Sequence, residues 1–169
     1  MIHQISQVTA YDRYPYLFGY VANKYNGMRP EVLSFGCSDC TEIRTLKELY
    51  MPNATYTGCD VVSGGQIITP EELYSNKHMF DVIFCMSVLC RFPDDGQYTF
   101  TMFEDEVIRI TNKLKRGGLL VIYNSNFRIS DTSVYDMYEV EDIYDVGHVP
   151  QYDREGNVCV YREVIFKKK

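Results

Sequence analysis

Small and acidic residues follow two short apolar segments of this chain, at the positions where a ligand that contains a ribose can be held. The turn Gly36-Cys37-Ser38-Asp39-Cys40 follows Glu31-Val32-Leu33-Ser34-Phe35, and Asp60 follows Tyr56-Thr57-Gly58-Cys59. A tight turn into a helix directs backbone N–H groups at a ligand, and a carboxylate after the next strand can accept hydrogen bonds from two ribose hydroxyls. These residues predict a nucleoside-type binding site.

The elements that position these residues alternate between strands and helices. Apolar residues recur at helical spacing from Tyr14 to Tyr25, and Thr69-Pro70-Glu71-Glu72 forms a capping box that begins a helix running to about Asn76. The remaining pattern predicts strands at Glu31–Phe35, Thr55–Val61, Asp81–Ser87 and Leu119–Asn124, helices at Thr41–Leu49 and from Phe103 to Gly117-Gly118, and an antiparallel pair at Tyr138–Tyr144 and Val158–Phe166.

Two further blocks extend the pattern, namely Phe80-Asp81-Val82-Ile83-Phe84-Cys85-Met86-Ser87-Val88-Leu89 and Leu114-Lys115-Arg116-Gly117-Gly118-Leu119-Leu120-Val121-Ile122. Across roughly residues 31–124, the chain resembles the class I S-adenosylmethionine (SAM) dependent methyltransferases. The resemblance implies an α/β fold, a three-layer Rossmann-like and mostly parallel sheet with a C-terminal antiparallel hairpin. Only twenty residues separate Asp60 from Asp81, so we expect the third strand to be short or missing.

The resemblance also implies the site and its cofactor, SAM, at the carboxyl ends of the strands. The methyl acceptor would be a small molecule or a protein side chain, and the sequence identifies no catalytic base. The cofactor-binding residues so predicted are Gly36, Cys37, Ser38, Cys40, Glu42, Asp60, Val61, Cys85, Met86 and Ser87. The residues predicted to face the acceptor are Tyr14, Arg91, Tyr123 and Asn124. For Tyr14 and Arg91, an exposed or snorkelling side chain is an equally good interpretation.

The turn departs from the pattern of the resembled family, which favours a second hypothesis. The family commonly has Gly-x-Gly-x-Gly where this chain has Ser38 and Cys40 after Gly36, and Ser34 stands where an acidic residue is common. In the resembled family, the loop after the third strand normally helps to line the adenine pocket, and this chain has only a short segment there. The alternative is therefore a catalytically degenerate, methyltransferase-like binding or interaction module. NAD is a poor competitor, because two glycines of the dinucleotide fingerprint are absent.

Composition narrows the remaining possibilities. The 169 residues, 46% of them hydrophobic, predict a single methyltransferase-like domain over residues 1–169. A net charge of -6 and a pI near 5.1 disfavour nucleic acid as a partner. No stretch approaches the roughly 18 apolar residues of a membrane span, so we expect a soluble, cytoplasmic protein. The oligomeric state does not follow from the sequence.

The sequence assigns no catalytic or metal-binding role to the cysteines and histidines. Cys37-x-x-Cys40 can support thiol chemistry when the pKa of a thiol is lowered, but small-residue replacement in the turn is the simpler interpretation. We expect no zinc site and no disulfides. His78 precedes the fourth strand, at the wrong end of the sheet, and His3 and His148 are each interpreted as surface residues.

Overall fold

The computed structural model describes residues 3–4, 9–62, 64–145 and 147–169. Within them the helices are α1 (Pro15–Lys24), α2 (Thr41–Thr45), α3 (Pro70–Ser75) and α4 (Phe100–Lys113). A π-helical turn, Leu46–Tyr50, continues α2, and two 3₁₀ turns occupy Ile129–Asp131 and Tyr135–Met137. The strands are β1 (Glu31–Phe35), β2 (Thr55–Cys59), β3 (Ile67–Ile68), β4 (Phe80–Met86), β5 (Leu114–Tyr123), β6 (Tyr138–Ile143) and β7 (Glu163–Lys168).

One sheet contains all seven of these described strands, in the order β3-β2-β1-β4-β5-β7-β6. The pairs from β3 to β5 are parallel, whereas β7 runs antiparallel between β5 and β6. The predicted α/β fold with a C-terminal antiparallel part is confirmed. β3 has two residues, which confirms a short third strand, because the segment between Asp60 and Asp81 also has to form α3.

The sheet is buried on both faces, and alternate residues of β4 belong to different layers. Ile83 and Cys85 face a core that includes α3 and α4, whereas Phe84 and Met86 face a core that includes α1. Such a continuous apolar run is typical of a parallel strand covered by helices on both sides. The three layers place the carboxyl ends of the central strands at one exposed edge.

Several boundaries differ from those predicted. The α-helical part of α2 ends at Thr45, and β2 ends at Cys59, two residues early. The prediction that the fourth helix runs to Gly117-Gly118 is wrong, because the helix ends at Lys113 and β5 begins directly. Gly118 then passes so close to β4 that a Cβ atom would lie 2.7 Å from the Asp81 carbonyl oxygen. These glycines permit strand pairing instead of a helix end.

The described part of the connection between β6 and β7, residues 144–145 and 147–162, returns to the carboxyl end of β5. It contains the predicted turn at Asp153, whose Oδ1 accepts a 2.8 Å hydrogen bond from the Asn157 N–H. The same connection brings Val149 to Asn124, directly after β5, through a 3.1 Å hydrogen bond from the Val149 N–H to Asn124 Oδ1. It therefore contributes residues to the edge where ligands bind in open parallel sheets.

Candidate functional site

The turn after β1 keeps a glycine-type backbone although only one glycine remains in it. Gly36 has φ +75°, and a Cβ atom there would lie 2.3 Å from Val88 Cγ2, so no larger residue fits. Ser38 and Cys40 also have positive φ, +51° and +66°. This left-handed conformation costs a non-glycine residue roughly 1–2 kcal/mol. The turn therefore retains its shape despite the side chains that the sequence places on it.

Asp60 joins this turn to the end of β2. Its Oδ2 accepts a 2.7 Å hydrogen bond from the Ser38 N–H, and its Oδ1 accepts a 3.2 Å hydrogen bond from the Val62 N–H. The carboxylate is partly exposed, and it lines a cavity at the same edge of the sheet. Because a carboxylate offers about four lone-pair positions, both oxygens can still accept hydrogen bonds from ligand hydroxyls.

Glu42 contributes a second carboxyl group to the turn. It contacts Ser34, which stands where the resembled family commonly has an acidic residue. The Ser34 hydroxyl donates a 2.8 Å hydrogen bond to Glu42 Oε1, from within β1 to the first turn of α2. Burial raises the pKa of the Glu42 carboxyl to about 7, against the hydrogen bond from Ser34 and the charge of Arg13, which lower it. A cationic ligand group at this position would stabilise the ionised form.

A cavity of about 630 Å³ lies over these residues. Eight of the ten predicted cofactor-binding residues line it, namely Gly36, Cys37, Ser38, Glu42, Asp60, Val61, Met86 and Ser87. The cavity continues along α3 and α4, where its walls include Pro70, Glu71, Tyr74, Glu106, Arg109, Asn112 and Lys113. The cavity is therefore longer than the sequence pattern indicated.

The other two predicted cofactor-binding residues are not brought to the cavity. Cys85 is fully buried in the core on the α3 and α4 side. Cys40 directs its thiol toward Gly58 in β2, where a Cβ atom would lie 2.9 Å from Cys37 Sγ and 3.4 Å from Cys40 Sγ. The missing side chain of Gly58 therefore makes the space that both turn cysteines occupy.

The two thiols of the turn lie 3.9 Å apart. Burial raises the pKa of the Cys37 thiol, and the neighbouring Cys40 and Asp60 act in the same direction. A protonated thiol is a poor nucleophile, so this environment is opposite to the one that activates redox cysteines. Among the described residues, no group of three or more His, Cys, Asp or Glu side chains is arranged to hold a metal ion.

The N-terminal segment also reaches the cavity, which the sequence did not indicate. The surface interpretation of His3 is wrong, because the residue is buried and its Nδ1 lies 2.9 Å from the Tyr98 hydroxyl. Its Nε2 lies 3.4 Å from Glu106 Oε2. Burial acts to raise the pKa of Glu106, but hydrogen bonds from His3 and Tyr74 lower it overall. This contact across 103 positions leaves no local signal in the sequence.

A second, smaller cavity of about 220 Å³ opens beside the first. Two of the predicted acceptor-facing residues, Tyr14 and Tyr123, line it, and Asn124 lies beneath it with its Nδ2 donating to Ser87 Oγ at 3.0 Å. Arg91 lines neither cavity. Its side chain is largely buried and lies 3.6 Å from Asp95, so its assignment to the acceptor site finds no support in the geometry.

Backbone strain is concentrated at this edge of the sheet. In the described part of the chain, five non-glycine residues have positive φ, and four of them follow β1, β4 or β5, namely Ser38, Cys40, Ser87 and Asn124. Strained conformations of this kind persist only where the surroundings enforce them, and they cluster at ligand sites. Both cavities thus lie at the most strained edge of the fold.

No helix in the described residues has the length and hydrophobicity of a membrane span.

Comparison with known proteins identifies the fold through structure alone. No protein-family model and no curated protein matches the sequence. The ribosomal protein L11 methylase of Lactobacillus delbrueckii subsp. bulgaricus superposes with a TM-score of 0.59 at 9% identity, over 95% of this chain and 81% of that chain. TehB of Haemophilus influenzae gives 0.55 at 14%, over 89% and 61%.

The N-methyltransferase NodS of Bradyrhizobium japonicum WM9 gives a TM-score of 0.55 at 12% identity, over 93% of this chain and 98% of that chain. The chain has the fold of the class I SAM-dependent methyltransferases.

Proposed function

We propose that this protein binds SAM in the larger cavity and transfers its methyl group to a small molecule or a protein side chain. The observation that carries the proposal is the meeting of three features in one cavity: the glycine-type turn at Gly36 and the carboxyl groups of Asp60 and Glu42. The L11 methylase and NodS, which share the fold, are described as a protein methylase and an N-methyltransferase.

The residues present fit the cofactor. Gly36 lines the cavity with backbone atoms alone, so it places no side chain between the turn and the ligand, and Asp60 would accept hydrogen bonds from the two ribose hydroxyls. Glu42, held by Ser34, would face the ammonium group of the methionine part and so replace the acid that β1 lacks. The adenine ring would lie beyond Asp60, against Val61 and Pro70, which line the cavity.

When bound, SAM supplies a sulfonium methyl group, which passes to a nucleophile as the carbon–sulfur bond breaks and its electron pair stays on sulfur. The protein's own contribution is to orient the two molecules and exclude water, which can account for a large part of a rate enhancement. Tyr14 and Ser87 stand where the two cavities meet, so they would border the reacting groups.

A catalytically degenerate binding module is the second candidate, and the side chains of Ser38 and Cys40 favour it. Positive φ at both positions means that the backbone tolerates strain which glycine would relieve. A protein that retained the fold and lost cofactor binding could accumulate such substitutions. The cavity and its two carboxyl groups remain open, and this favours the enzyme.

Isothermal titration with SAM and with its demethylated product tests the first step. We expect binding in the micromolar range, weakened about ten- to a hundred-fold by Asp60→Asn, because hydrogen bonds to a charged group contribute about 1.5–3 kcal/mol each. Asp105→Asn, on the exposed face of α4, is the matched control and should bind like the parent. Labelled SAM incubated with a metabolite pool then tests transfer. Binding without transfer to any acceptor would support the module.

A further inference from the structure

The smaller cavity adjoins the larger one through shared walls. Arg13, Tyr14 and Ser87 line both cavities. The Tyr14 hydroxyl lies 2.8 Å from Ser87 Oγ, which in turn accepts the 3.0 Å hydrogen bond from Asn124. A molecule in the small cavity would therefore meet a ligand of the large cavity at one defined place, next to Ser87.

Aromatic rings form most of the small cavity. The rings of Tyr14 and Tyr123 meet edge to face, with centroids 5.5 Å apart, and those of Tyr123 and Tyr144 meet in the same way at 5.7 Å. Such rings favour a further planar ring in edge or offset contact. The volume of about 220 Å³ is below the range of roughly 300–1,000 Å³ for drug-sized ligands, so the space suits a single ring.

Charges of both signs act near the small cavity. The Arg13 guanidinium lies 5.2 Å from the centroid of the Tyr14 ring, at the border of the two cavities, whereas the negative charge of Asp145 acts on Tyr123. The reacting atom of an acceptor has to lie at the border, where the charge of Arg13 opposes an ammonium group and stabilises an oxygen that loses its proton. A phenol that becomes a phenolate therefore suits this border better than an amine that is protonated at neutral pH.

A proton acceptor stands at the mouth of the cavity. Burial raises the pKa of Tyr14 to about 12 and also raises that of Tyr123, so both hydroxyls stay protonated at neutral pH. The Ser87 hydroxyl is neutral as well. Among the described lining residues, this leaves the exposed imidazole of His148, a ring that can accept a proton at one of its nitrogens.

The fold places His148 through contacts on both sides of it. Gly147 packs so closely on Asn124 that a Cβ atom would lie 1.8 Å from Asn124 Oδ1, and the Val149 N–H donates to the same oxygen. The His148 ring meets Phe92 edge to face at 5.0 Å, and Asn124 Nδ2 lies 3.4 Å from its Nδ1. Packing thus fixes the backbone on both sides of His148, while the ring itself is exposed and can reach solvent.

From this arrangement, and resting on the proposed function, we propose that the smaller cavity binds the methyl acceptor as a single-ring phenol and that His148 accepts its proton. The phenolic O–H bond breaks, its proton moves to a ring nitrogen of His148 and then to solvent, and the oxygen keeps the electron pair. That pair forms the new oxygen–methyl bond. The positive charge of Arg13 stabilises the negative charge that develops on the oxygen.

Binding is tested first without any cofactor, by histidine-labelled NMR of the whole protein. The chain has three histidines, and His148→Gln assigns the relevant signal. Phenol and 4-hydroxybenzoate should shift this signal saturably, whereas cyclohexanol and benzylamine should not. Tyr144→Ala should weaken phenol binding about tenfold or more, since it removes one wall of rings. Tyr11→Ala, which changes an exposed tyrosine outside both cavities, should leave binding unchanged.

Transfer is tested second, with labelled SAM and the same two phenols. His148→Gln should lower kcat by about 10²- to 10⁴-fold, the usual contribution of a general base, with SAM affinity unchanged. His78→Gln, at the opposite end of the sheet beside Glu31, is the matched control and should keep full activity.

The two proposals fail in different ways. If neither phenol binds to the parent protein, or if cyclohexanol or benzylamine binds equally well, the acceptor proposal is overturned even when SAM binds. Full transfer activity in His148→Gln overturns the role of this histidine. If SAM does not bind, the proposed function is wrong, whereas the NMR titration still decides whether the small cavity holds a phenol.

Discussion

Two residues of the turn after β1 carry side chains other than glycine's but keep a backbone conformation typical of glycine. Ser38 and Cys40 occupy positions where glycine is common in proteins of this fold, and both keep the left-handed conformation that glycine adopts freely. The Ser34 hydroxyl donates a hydrogen bond to Glu42, eight positions along the chain, and so holds this carboxyl group at the turn. In the proposed function, Glu42 would replace the acid that position 34 lacks.

Replacement of Cys40 measures the strain in the turn. Cys40→Gly removes the left-handed penalty of about 1–2 kcal/mol, partly offset by the entropy that glycine adds to the unfolded chain, and it leaves SAM affinity equal to or above that of the parent. Cys40→Val should lower both stability and affinity, because a β-branched residue fits this conformation worst. Chemical denaturation and SAM titration of the two variants make the comparison. Equal behaviour of both variants would contradict strain at this position.

The carboxyl group of Glu42 makes SAM binding depend on pH. Its pKa is raised to about 7 in the ligand-free protein, and a bound ammonium group would favour the ionised form. SAM affinity should therefore rise about fivefold from pH 6 to pH 7, as the ionised fraction grows from about a tenth to a half. Glu42→Gln should bind more weakly and show no such rise in titration calorimetry. A parent affinity that is flat over this interval would argue against the contact.

The stability of the ligand-free protein should move in the opposite direction. An unfolded glutamate ionises near pH 4.3, whereas folded Glu42 ionises near pH 7, so the unfolded chain loses this proton first. Glu42 therefore makes the free energy of unfolding fall as pH rises from about 4 to 7. The pH slope between 5 and 7 should be less negative in Glu42→Gln than in the parent, as urea unfolding at several pH values would show. Parallel slopes would contradict the raised pKa.

At the scale of elements, β2 shapes the turn of β1. Gly58 lies near the end of β2, and the space left by its missing side chain accommodates the thiols of Cys37 and Cys40. The short segment after β2 forms only a two-residue β3 before α3, and Pro70, Glu71 and Tyr74 of α3 line the cavity. The shape of the site thus depends on a small residue and a short segment in the neighbouring elements.

A methyl group added at position 58 should push on the turn from the β2 side, where the thiols of Cys37 and Cys40 lie. Gly58→Ala would place a Cβ atom 2.9 Å from Cys37 Sγ, and overpacking of this kind typically costs about 1–3 kcal/mol. SAM affinity should fall with stability, because the turn must shift. Gly64→Ala is the matched control, since no atom lies within 4 Å of the added Cβ. Urea denaturation and SAM titration would test both variants, and a neutral Gly58→Ala would rule out tight packing there.

For the whole molecule, the edge of the sheet that carries both cavities is closed by segments far apart in sequence. His3 and Arg13 come from the beginning of the chain, whereas Tyr144 and His148 come from the connection between β6 and β7. Because these segments are packed against the folded sheet, a ligand that contacts them binds only the folded chain. Ligand binding should therefore raise the stability of the entire protein.

Thermal unfolding gives a direct measurement of this coupling. At a SAM concentration 100 times its dissociation constant, stability should rise by about 2.7 kcal/mol, which corresponds to roughly 5–11 °C in Tm for a chain of this size. Asp60→Asn should show a smaller shift at the same concentration. NAD should produce no shift, because the turn lacks two of the dinucleotide glycines. A shift with NAD and none with SAM would reverse the assignment of the cofactor.

The sequence by itself determined the alternation of apolar strands and helices, the turn at Gly36 and the acid at Asp60. These features are local, since hydrophobic periodicity and turn residues report on one element at a time. The mostly parallel sheet with an antiparallel C-terminal part and a short third strand, which the resemblance implied, is confirmed, although β7 begins at Glu163 and not at Val158. Eight predicted residues also line one cavity, because the carboxyl ends of parallel strands must meet at one edge.

Only the tertiary structure decided which side chains meet across elements. The burial of His3 against Tyr98, the contact between Ser34 and Glu42, and the return of the chain at Val149 onto Asn124 all depend on packing directions that no local pattern encodes. The same reason explains why the thiol of Cys40 points to Gly58 and away from the cavity. The local sequence indicates where a ligand site lies, and long-range packing decides what surrounds it.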